Sequence, residues 1–226
     1  MKIGGKIGCL IAIIGIIVAV LALVSLLTTQ TRYTTSIPMA VRAYLFVDEP
    51  APPGYGAYGY LLFNAKPSPN ELKRYQEVCE SYKRSLVKSV GVRPEDRARE
   101  MATFWPLQRK RGNVPDYSCY TMIEQYDYHR AAEISTALRK QGARGPVLTA
   151  WTKPFEENDS ADALVLDLSD FSEQDLDRAF AIWRERITTN PDAWQNGLNL
   201  IVFREAFRNL LQTHGETILA IVHPSK

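Results

Sequence analysis

Hydrophobic and polar positions divide this chain at once. Residues 7–27 contain no charge, while the rest of the chain alternates between apolar and polar positions. At about 1.5 Å of rise per residue, such a run covers roughly 30 Å, the thickness of a bilayer's hydrocarbon core. It is therefore read as one membrane-spanning helix. It follows a short N-terminus (1–6) and precedes a Thr-rich tether (28–38) and a globular region (39–226). The alternative is a cleaved signal peptide with Val20 and Ala22 before the cut, but the apolar run outlasts a usual signal core.

Within the run, Gly8, Ala12, Gly15, Ala19, Ala22 and Ser25 are its only Gly, Ala and Ser residues. Their steps of four and three place them on one helical face, near the 3.5-residue period of a left-handed helix pair. Lipid offers no hydrophobic drive between helices, so association needs close backbone approach, which small residues permit. The face is read as a docking surface for another membrane helix, from a second copy or a different protein. The bland alternative is a Gly/Ala-containing helix that meets only lipid. Cys9, near the cytoplasmic face, is an acylation candidate, although an inert thiol explains it equally simply.

Past the tether, the pattern switches between periods of two and 3.6. Strands are expected at 41–47, 58–63, 101–107 (ending at Pro106), 146–151 and 163–168, with 218–222 strand or helix. Between the first two, residues 48–54 hold three prolines and a glycine, which forbid regular structure. Helices are expected at 68–90, from about 94, at 127–141, from Ser172, from Asn190 and at 198–213. Ser68 with Glu71, and Ser172 with Asp175, have capping-box spacing. Leu72, Tyr75, Cys79, Tyr82 and Leu86 share the inward face of the first long helix. Interleaved strands and helices predict an α/β or α+β, sandwich-type domain.

Lys plus Arg number 27 against 25 Asp plus Glu. Near-neutral charge argues against nucleic acid as a partner. Lys2 and Lys6 before the run, with Arg32 the first charge after it, favour a cytoplasmic N-terminus and a periplasmic or otherwise extracytoplasmic domain. That compartment makes Cys79 and Cys119 natural disulfide partners. Two unpaired buried thiols are the alternative. Arg109, Lys110 and Arg111 read as a solvated loop beside Gly112, and Asn158-Asp159-Ser160 matches a glycosylation acceptor only for a eukaryotic secretory cell.

Candidate chemistry is sparse. No phosphate loop, dinucleotide fingerprint, serine elbow or zinc-binding histidine pair occurs, and neither cofactor nor metal is expected. His129 near Glu124 and Asp127 has the makings of a general base but reads more simply as a helix-start residue. His214 stands at a helix end and His223 near the chain's end. Asp167 and Asp170 follow a strand, where α/β enzymes place carboxylates. Tyr55, Tyr58 and Tyr60 follow the proline loop and present a candidate partner or glycan surface. The reading favoured is a non-enzymatic, single-pass accessory or assembly subunit of a membrane complex. An anchored envelope hydrolase and an anchored ligand- or glycan-binding module are the alternatives.

Overall fold

Among the described residues, seven strands form one mixed sheet. The computed structural model describes residues 40–89, 93–111, 117–138, 145–155, 162–187, 190, 193 and 198–222. The expected membrane helix at 7–27, with its small-residue face, the tether and the glycosylation triplet lie outside the described residues. Among the described residues no helix is long and apolar enough to cross a membrane. Residues Ile37–Lys226 form one compact unit.

The strands are β1 (Ala40–Phe46), β2 (Ala57–Leu62), β3 (Val87–Lys88), β4 (Met101–Leu107), β5 (Val147–Trp151), β6 (Ala163–Asp167) and β7 (Leu219–Val222). Their order across the sheet is β3-β1-β4-β2-β5-β6-β7. The half from β3 to β2 is parallel, and the half from β5 to β7 runs antiparallel. The helices are α1 (Leu72–Ser85), α2 (Cys119–Glu124), α3 (Tyr128–Leu138), α4 (Glu173–Ile182) and α5 (Leu200–His214). The domain is thus mixed α/β.

β4 is buried along all seven of its residues, as expected of a central strand covered on both faces. It continues one residue past Pro106, where the sequence suggested a stop. Pairing with β2 ends at Phe104, so a residue without an N–H removes no β2 bond. The junction between α2 and α3 takes over there. Asp127 N–H donates to Pro106 O (3.2 Å), and Gln108 N–H donates to Gln125 O (2.8 Å).

The helix expected over 68–90 is shorter at both ends. Glu71 does reach back to the Ser68 N–H (2.9 Å), but the Ser68 hydroxyl donates to the same carboxylate (2.7 Å) instead of capping, and α1 starts at Leu72. At the other end Leu86 turns extended and Val87–Lys88 pair with Val41 and Arg42 as β3. An open sheet edge beside β-branched Val87 outweighs one more helical turn.

The core is strongly aromatic. Trp105 donates its indole N–H to Met122 O (3.2 Å) and stands edge-on to Phe63 (5.2 Å) and Tyr126 (5.3 Å). Tyr126 clamps a strand end, its hydroxyl donating to Leu61 O (2.9 Å) and accepting from Phe63 N–H (3.1 Å). Tyr82 of α1 donates to Thr103 O at 2.8 Å. Beyond Ile182, α4 widens into a π turn (Trp183–Ile187) that carries the buried Trp183.

Candidate functional site

Cys79 and Cys119 form a disulfide, with Cα atoms 5.7 Å apart. Helical periodicity turns Cys79 inward on α1, and Ser118 starts α2 by accepting the Thr121 N–H (3.2 Å), which sets Cys119 on its first turn. The two cysteines are 0% and 3% exposed, and Met122 Sδ lies 3.9 Å from Cys79 Sγ. Lys83 of α1 also donates to Tyr117 O (2.7 Å). The bond therefore pins α2 onto α1 inside the core.

The three tyrosines proposed as a partner or glycan surface do not form one. Tyr58 and Tyr60 are 2% and 1% exposed, and Tyr55 is half-buried. β2 is an interior strand between β4 and β5 and is buried along all six of its residues, so neither of its faces reaches solvent. Tyr58 lies parallel to Phe104 and accepts the Tyr55 N–H at 3.1 Å. Tyr60 accepts the Phe155 N–H at 3.2 Å, and burial pushes its hydroxyl up to about 12. Alternation in this strand reflects packing of large against small side chains, not wet against dry.

The candidate acids and histidines are apart from one another. His129 is exposed and meets Glu133 at 3.2 Å, not Glu124 or Asp127. Asp127 is buried and caps α3 by accepting the Arg130 N–H at 3.0 Å. Asp167 accepts the Ser169 N–H (2.9 Å) and its hydroxyl, a closed turn at the strand's end. Asp170 is exposed. Among the described residues no group of three or more His, Cys, Asp or Glu side chains is arranged to hold a metal ion.

Two polar features escaped the sequence reading. His214 stacks on Phe171 (4.5 Å between centroids) and its Nε2 lies 3.1 Å from Asp175 Oδ2. Asp175 accepts the Ser172 hydroxyl at 2.7 Å as well; that bond first, then His214 and Arg178, holds its carboxyl below the usual carboxylate range. The other is Glu100, 8% exposed just before β4, whose Oε2 has no hydrogen-bond partner among the described residues. Burial first, then the nearby Asp96 charge, raises its pKa above the ordinary glutamate value. The sequence signal for the first was the His at a helix end; the second had none.

The basic cluster is partly engaged. Arg111 pairs with Glu49 at 2.7 Å and lies over Phe46, while Arg109 lies over the Tyr117 ring and donates to its hydroxyl. A groove of about 270 Å³ runs between α4 and α5, lined by Arg178, Ala181, Ile182, Glu185, Ala206 and Asn209. No protein-family model, curated protein or solved structure matches this chain.

Proposed function

We propose that the chain is a single-pass, membrane-anchored interaction subunit, docking through the small-residue face of residues 7–27 and carrying its α/β domain outside the cytoplasm. The observation that carries the reading is the uncharged run itself, with Gly8, Ala12, Gly15, Ala19, Ala22 and Ser25 on one side. A buried Cys79–Cys119 disulfide supports an oxidising compartment for the domain. Asp167, Asp127 and His129, on which an enzyme reading would draw, are engaged in a turn, a helix cap and a surface pair instead. The partner on this reading is another membrane helix, in a second copy or a different protein.

The test is substitution on the face. Gly15→Leu with Ala19→Leu should leave the chain in the membrane but strip its partner during purification in mild detergent. An unchanged set of co-purifying chains would overturn docking through this face.

A further inference from the structure

The sheet ends differently on its two sides. At one edge, β3 is only two residues long and carries Lys88. Short, charged edges resist pairing with other chains. At the other edge, β7 reads Leu219-Ala220-Ile221-Val222, with no charge and no proline. All four residues are in unbroken register with β6, so no bulge turns the edge away. Ala220 and Ile221 are half-exposed.

In an antiparallel strand, alternate residues direct their N–H and C=O away from the partner. Two of the four β7 residues therefore present backbone donors and acceptors outward, and among the described residues nothing bonds to them. An apolar, unblunted edge of this kind is a template for one more strand.

We propose that β7 pairs with β7 of a second copy of this chain, antiparallel about a two-fold axis, joining the two sheets into one. The strand is uncharged, so two copies meet without repulsion. The nearest described charge preceding it, Glu216, lies 3.6 Å from Arg204 of its own chain. A two-fold contact is isologous, the commonest form of assembly for identical chains. The proposal rests on the docking reading above for a reason of magnitude. Three paired residues on each strand bury far less than the roughly 1,200 Å² of a stable soluble dimer. Helices associated in the membrane would hold the two strands at an effective concentration in the millimolar range, which compensates for the small contact.

The experiment uses the full chain in its native membrane, with Cys9→Ser to remove the free thiol and the Cys79–Cys119 bond retained. Single cysteines are placed at each position from 219 to 222 and a mild oxidant is added. Directly opposed residues of paired strands lie about 4.5–5.5 Å apart at Cα, within disulfide reach. One central variant, Ala220→Cys or Ile221→Cys, should give a cross-linked dimer several-fold more abundant than Leu219→Cys or Val222→Cys. Adding Gly15→Leu and Ala19→Leu should reduce that product several-fold. No dimer at any position, equal dimer at all four, or a cross-link to a chain of different mass would each overturn β7 self-pairing. If those results coincide with loss of partners in the Gly15→Leu, Ala19→Leu chain, helix docking stands alone. A dimer that peaks at the centre yet ignores those two substitutions supports strand pairing and counts against the helix reading.

Discussion

Gly59 leaves room for a hydroxyl. A Cβ at this position would lie 2.8 Å from Thr103 Oγ1, which accepts the indole N–H of buried Trp183 at 3.2 Å. Gly59→Ala should therefore displace the Thr103 side chain and cost about 1–3 kcal/mol, the usual range for overpacking. A urea unfolding curve measures it; an unchanged midpoint would mean that the strand shifts freely. At Asp175 the folded-state carboxyl titrates below its unfolded value. Its contribution to stability is therefore complete above the unfolded value of about 3.9 and is lost as pH falls through the lower folded value. Below pH 4 the wild type should lose stability more steeply than Asp175→Asn, as thermal unfolding across pH will show. The Ser172–Asp175 box was legible because its partners are three residues apart. The His214 contact was not, because 39 residues separate it from Asp175 and only the packing of α4 against α5 brings them together.

At the scale of elements, the disulfide decides how α2 sits. It closes a separation of 40 residues, for which the chain-entropy account gives about 3–4 kcal/mol. Cys79→Ser with Cys119→Ser should lower unfolding stability by that order, measured by denaturant titration without reductant. A loss near zero would mean that packing around Met122 alone holds α2. The pairing could be anticipated from the helical phase of Cys79 and the expected compartment. Most strands were equally legible, since runs such as Ala163–Asp167 are short and mostly apolar. Strand surroundings were not: alternation at Tyr58 and Tyr60 is the same on a half-exposed strand and on one buried on both faces. The same limit hid the end of α1, because the helical phase at Leu86 carries no information about a sheet edge waiting beside Val87.

At the scale of the whole molecule, an uncharged run of sequence precedes a disulfide-bonded α/β domain whose β7 edge pairs with no further strand among the described residues. Its topology makes a plain prediction. In intact cells, Cys79 and Cys119 should resist thiol labelling until a reductant is added, even after denaturation, and the chain should stay in the membrane pellet at alkaline pH. Ready labelling of both cysteines, or release at alkaline pH, would contradict that topology. The fold class was readable because periodicity is local; the partner was not, because a docking face records its own shape and leaves the other side unstated. The most direct test is therefore the mass of the assembly extracted from native membranes in mild detergent. The expected result is a complex heavier than the chain's own 25.5 kDa, containing a second copy or another membrane protein. A lone 25.5 kDa chain, in detergent that keeps known membrane complexes intact, would contradict it.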